Sequence, residues 1–176
     1  MKYKIFLNDE DFVRFNIFYM NHTKAGKRSK NAIRWMLPMI FVLSILILVL
    51  ADAEPGLIIA EVIAMTIGSI IWIAITPKIA ERGIRKNIRK LKADGKLSYS
   101  PESEIEFQEL KFVEKSDRGE THVNYKNIEN VYAEEDYLYI FISANQGFIL
   151  PRQCLGADWD RVIAYLEVKR SWQLFT

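Results

Sequence analysis

Two apolar segments stand back to back in this chain, Trp35 to Ala51 and Gly56 to Thr76, separated only by Asp52-Ala53-Glu54-Pro55. Neither holds a Lys or Arg, and the first holds no ionisable residue. At about 1.5 Å of rise per residue, 17 residues reach about 25 Å and 21 reach about 31 Å, against a hydrocarbon layer about 30 Å thick. A chain of 176 residues can hardly wrap two helices that are apolar on every side, so the pattern predicts a helical hairpin through a bilayer, not a buried pair. A cleavable leader is not expected: the apolar run begins beyond residue 30 and is followed by acids, not by a small-residue cleavage site.

Orientation follows from the cations near the helix ends. Lys24, Lys27, Arg28, Lys30 and Arg34 precede the first segment and seven Lys/Arg from Lys78 to Lys92 follow the second, while the connecting turn has none. This predicts a multi-pass protein of the cytoplasmic membrane with both termini cytoplasmic. Trp35 and Trp72 would lie toward the same interface, where indole rings prefer to sit. Within the second segment Ala60, Ala64 and Gly68 recur every four residues and predict a close helix-packing face. Glu61 is the one charge inside either span; it either reaches the outer interface, about 7–8 Å along the helix from Gly56, or serves a function inside the membrane.

Charge divides the rest of the chain. Residues 1–34 carry eight Lys/Arg against three acids and residues 35–96 eight against five, whereas residues 97–176 carry eight against fourteen, a balance of −6. The acidic region is a poor match for nucleic acid, because phosphate contacts need a basic surface. The single Cys154 excludes an intramolecular disulfide and agrees with a cytoplasmic location.

The domains expected are therefore 1–34, an N-terminal strand and amphipathic helix; 35–76, the membrane hairpin; 77–96, a basic juxtamembrane helix; and 97–176, a distal domain. In the first, Tyr3, Ile5 and Leu7 alternate as a short strand whose natural partner is an edge of the distal domain. Asn8 or Asp9 can cap a helix carrying Phe12, Phe15, Phe18 and Tyr19, a stripe for either the membrane interface or the distal domain, with Lys24 to Arg28 ending that helix. In the third, Ile84, Ile88 and Leu91 form an apolar line, Lys78, Arg82, Arg85, Lys86, Arg89, Lys90 and Lys92 spread around it, and Gly95 suits a C-cap. These cations are lipid-contact candidates; the alternatives are docking onto the acidic domain or a solvated stalk.

From Leu97 onward apolar residues alternate. Ile105 with Phe107, Leu110 to Glu114, Thr121 to Tyr125, Ile128 to Ala133, Tyr137 to Ser143 and Phe148 to Leu150 read as six or seven short strands. Ser116-Asp117-Arg118-Gly119, Glu134-Glu135-Asp136 and Asn145-Gln146-Gly147 supply turns, and Pro151 stops the last strand. A helix from about Asp158 to Arg170 follows, with Trp159, Val162, Ile163 and Leu166 on one face, Asp158 as cap, and Lys169 and Arg170 at its end. The fold expected is a membrane α-helical hairpin plus an α+β cytoplasmic domain, a small antiparallel barrel or bent sheet closed by the C-terminal helix.

With hairpin and strands together, the chain resembles the YcxB-like membrane proteins of bacteria. The matching pieces are Asn8-Asp9-Glu10-Asp11-Phe12 after the first strand, the two apolar helices, Tyr125-Lys126-Asn127-Ile128 with Val131, and Tyr137-Leu138-Tyr139-Ile140 leading to Phe148-Ile149-Leu150-Pro151-Arg152. The resemblance implies a distal domain similar to a pleckstrin-homology fold. It brings no catalytic residues.

No constellation in the chain signals catalysis. His22, His122 and Cys154 lack paired ligand spacing for a metal, and neither a Ser/His/Asp context nor a phosphate-cradling glycine loop occurs. Neither enzymatic activity nor a cofactor is expected. The leading expectation is a membrane-anchored interaction module with an unidentified protein partner, by strand addition to a sheet edge. Alternatives are an anionic-lipid-responsive module acting through the basic helix and, third, a homo-oligomeric channel or transporter component built around Glu61.

Overall fold

A computed structural model describes residues 1–97, 99–143 and 146–171, with residues 170 and 171 described by backbone alone. The expected turn at Asn145 and the side chain of Arg170 lie outside the described residues. The chain forms two compact units, 1–16 with 88–176, and 17–87.

In the first unit, strand alternation sets the layout. Strand β1 (Lys2–Phe6) buries Ile5 and exposes Lys2, Lys4 and Phe6. It pairs antiparallel with β2 (Glu102–Phe107), Tyr3 opposite Ile105 and Ile5 opposite Ser103, so the N-terminal strand does join the distal sheet. Strands β3 (Lys111–Ser116) and β4 (Gly119–Asn124) complete a four-stranded sheet in the order β1-β2-β3-β4. A 3-10 turn at Tyr125–Asn127 then leads to a three-stranded sheet of β5 (Asn130–Ala133), β6 (Tyr137–Ser143) and β7 (Gln146–Pro151). The strands thus fall into two sheets, with no closed barrel among the described residues. Between the two sheets, in the 3-10 turn, Tyr125 buries its ring and donates its hydroxyl to the Gln108 carbonyl at 2.8 Å.

Short helix α4 (Arg152–Leu155) and a second 3-10 turn, Gly156–Asp158, precede helix α5 (Trp159–Ser171). Asp158 belongs to that turn and lies 3.7 Å from Arg161. Trp159, Val162 and Leu166 of α5 share a core with Ile5, Ile105, Phe107, Phe112, Leu138, Ile140 and Leu150; Ile163 packs at its margin.

Helix α1 (Asp9–His22) is started by Asn8. The Asn8 Oδ1 accepts the amides of Glu10 (2.8 Å) and Asp11 (3.1 Å), and Asp11 Oδ2 accepts the Asn8 amide (2.8 Å), a reciprocal cap that satisfies donors a helix start would leave unpaired. Within the first unit Phe15 of the aromatic stripe stacks on Phe141 of β6 at 5.3 Å, and Phe12 stacks on Tyr99, in the connection before β2, at 4.6 Å.

The second unit begins differently from the sequence expectation. Lys24 to Arg28 do not end the first helix; they open the next, α2 (Lys24–Leu50). Thr23 caps it by accepting the Gly26 amide at 3.0 Å and donates its hydroxyl to the Tyr19 carbonyl at 2.8 Å, so one residue serves both helix ends. Helix α3 (Pro55–Ala93) is likewise continuous through Pro77, so the basic stretch is its last part and not a separate helix. Proline withdraws one backbone donor there; Thr76 adds one nearby, its hydroxyl donating to the Trp72 carbonyl at 2.6 Å.

Helices α2 and α3 run antiparallel. Trp72 Nε1 donates to the Ile33 carbonyl (3.3 Å), Ser44 Oγ lies 3.5 Å from the Met65 sulfur, and a Cβ on Gly68 would stand 3.4 Å from the Phe41 ring. The most apolar stretch of each helix is buried nowhere in the molecule. Of the predicted packing face, Gly68 belongs to this seam, but Ala60 and Ala64 are exposed. A strict four-residue spacing drifts around a 3.6-residue helix, and the seam follows Met65, Gly68 and Trp72 instead.

Candidate functional site

Polar chemistry in the first unit gathers at the start of α1. Asp11 is 3% exposed and accepts the Tyr137 hydroxyl at 2.7 Å in addition to the Asn8 amide. Burial, then the Asp11 carboxylate, pushes Tyr137 up to about 12. Asp9 accepts Lys92 Nζ through both oxygens (3.0 and 2.8 Å) and the Tyr99 hydroxyl (2.7 Å). Hydrogen bonding from Lys92, then from Tyr99, holds the Asp9 carboxyl below the usual carboxylate range. Arg14 covers the Tyr137 ring, its guanidinium carbon 5.7 Å from the centroid.

Beside this cluster lies a cleft of about 210 Å³, bounded chiefly by Phe12, Tyr99, Glu114, Arg118, Thr121 and Phe148. Strand alternation explains its acid. Phe112 and Glu114 lie on the same side of β3, and Glu114 pairs with Ile105 of β2 and Thr121 of β4, so a carboxyl occupies the inward face. Burial raises the Glu114 pKa and the neighbouring Ser103 opposes that rise. Ser103 is itself 4% exposed. Arg118 at the rim donates Nη1 to the Leu97 carbonyl.

The lipid-contact candidates separate by environment. Lys78, Arg82, Lys86, Arg89 and Lys90 are exposed; Arg85 bonds to Glu81 at 2.9 Å one turn back, and Lys92 pairs with Asp9. Glu61 is half-buried on the face of α3 that carries Met65 and Gly68. His22 lies 3.1 Å from the Phe18 carbonyl, His122 sits beside Glu120 and Lys111, and Cys154 is a half-buried free thiol in α4. Among the described residues no three His, Cys, Asp or Glu side chains form a group that could hold a metal ion. Sequence reasoning missed Glu114, Asp11 and the two tyrosines: an acid in an alternating strand reads as an outward residue until its register is known.

The architecture defines a class of protein, two long apolar helices joined to a small antiparallel module with a C-terminal helix. The YcxB-like protein family matches residues 107–166, from the end of β2 to α5, and that stretch of the chain is similar to the family. No curated protein and no solved structure matches the chain.

Proposed function

We propose that this protein is a multi-pass membrane protein without catalytic activity that holds its antiparallel module at the cytoplasmic face as a protein-interaction module. The observation that carries the reading is the pair of helices α2 and α3, apolar over a bilayer's thickness, buried nowhere along those stretches, and basic only at the ends away from their shared turn. Four strands in one sheet, three in a second and a closing helix support the comparison with a pleckstrin-homology-like module. Strand β4 favours partner binding by strand addition: it stands at the end of its sheet, and of its residues only Val123 is buried.

Thiol labelling in intact cells and after permeabilisation tests the topology. Native Cys154 reacts with a membrane-impermeant maleimide only after permeabilisation. In a Cys154→Ser background, Ala53→Cys reacts in intact cells. The reverse pattern, or recovery of the chain in the soluble fraction, sinks the proposal.

A second reading is favoured by the exposure of Lys78, Arg82, Lys86, Arg89 and Lys90 on α3. It makes the end of that helix a sensor of anionic lipid, drawing on up to about 1 kcal/mol per cation near the surface.

A further inference from the structure

The cleft at Glu114 has no part in either reading, yet it is chemically specific. An alternating strand places an apolar residue on its inward face, and β3 places a carboxyl there beside Ile105 and Thr121. That carboxyl is half-buried, and its burial raises its pKa against a smaller opposing effect of Ser103. No ion pair to Glu114 occurs among the described residues; Arg118, a cation that also lines the cleft, donates Nη1 to the Leu97 carbonyl. The walls are held in place: Phe12 stacks on Tyr99 at 4.6 Å and Phe148 meets Phe112 edge-on at 4.9 Å.

A desolvated carboxylate, aromatic walls and the Thr121 and Ser116 hydroxyls favour one kind of guest. A cation gains a charge-assisted hydrogen bond beside aromatic side chains. An anion meets Glu114 as a like charge, and an apolar group leaves the carboxylate dry and unpaired. A volume of about 210 Å³ admits a group the size of one side chain. We propose that the Glu114 cleft binds a primary alkylammonium group, carried either by a free amine or by the lysine side chain of a peptide. Thr121 and Ser116 orient the ammonium hydrogens, and Glu114 carries the opposing charge. A free amine would make the site independent of the interaction-module proposal; a peptide lysine would give that module its specificity.

The full chain in phosphatidylcholine nanodiscs, with Thr and Ile methyl groups labelled, is titrated with n-butylammonium while the Thr121 and Ile149 signals are followed by NMR. Saturable shifts are expected with n-butylammonium and not with n-butanol. Glu114→Gln should weaken binding roughly tenfold or more, as expected for a lost charged hydrogen bond, and Thr121→Val by a smaller factor. Glu120→Gln, on the exposed part of β4, should leave it unchanged. Tighter binding of a capped Ala-Lys-Ala tripeptide than of n-butylammonium assigns the guest to a peptide, and the reverse order to a free amine. Absence of saturable shifts, equal response to n-butanol, or unchanged affinity in both the Glu114→Gln and Thr121→Val variants overturns the proposal.

Discussion

Asp11 shows how much one residue decides here. It closes the cap of α1 and accepts the Tyr137 hydroxyl, linking the helix start to β6 while 3% exposed. Removing the donor in Tyr137→Phe leaves a buried carboxylate one partner short, and we expect a loss of about 1–3 kcal/mol in denaturant unfolding of the first unit. Glu114 has the opposite sense. Its pKa is raised in the folded chain, so ionising it costs the folded state more than the unfolded one. That cost is absent well below the ordinary glutamate value and grows as pH rises through it toward the raised one. Glu114→Gln should therefore be more stable than the native chain at neutral pH and lose that advantage in acid; an advantage that stays constant with pH would contradict the assignment. Neither residue was legible in the sequence, because local pattern identifies an acid and register decides which way it faces. Asn8 was legible as one of two possible caps, since a cap is a contact over three residues.

Among the elements, local signals were read well and compensated ones were not. Alternation located the strands, and Gly95 ends α3 with φ +65, Lys96 donating to the Leu91 carbonyl at 2.8 Å. The same geometry ends α2 with Asp52 at φ 50, Ala53 donating to the Leu48 carbonyl at 3.1 Å, in a residue type that gives no such signal. A domain boundary was expected between residues 76 and 77, yet α3 passes through Pro77 with the Thr76 hydroxyl bonded one turn back. The division of the strands into two sheets was hidden because alternation marks strands and not which of them pair. Gly147 tests the packing of α1 on the sheet. A Cβ there would lie 3.0 Å from Phe15 Cζ and 3.1 Å from the Ile140 carbonyl oxygen, which is backbone and cannot swing aside. Gly147→Ala should cost about 1–3 kcal/mol and disturb the stacking of Phe15 on Phe141, read as a shift in the Phe15 ring signals. A neutral effect would mean that α1 yields at this point.

At the scale of the whole molecule, charge is sorted along the chain, and the sorting has a consequence for the lipid reading. The acidic balance of −6 over residues 97–176 argues against that region as a headgroup surface and favours the cations at the end of α3. Lys92 is paired with Asp9 at 2.8 Å, an acid of the N-terminal arm and not of the acidic distal domain, while five cations from Lys78 to Lys90 are exposed. If those five face anionic lipid, the full chain should melt at a higher temperature in nanodiscs with phosphatidylglycerol than in pure phosphatidylcholine. Each well-placed cation draws on up to about 1 kcal/mol, and the attraction is cut off beyond a Debye length of about 10 Å at 0.1 M salt. The difference in melting temperature should therefore shrink as salt is raised toward 1 M. It should also shrink when Lys78, Arg82, Lys86, Arg89 and Lys90 are changed together to Gln, whereas Lys92→Gln should cost only about 0.2–1 kcal/mol in both lipids alike, as for an exposed ion pair. A lipid difference that survives both salt and the five substitutions would place the anion preference elsewhere in the chain. No difference at all would leave those cations with the single task of setting which way the hairpin crosses.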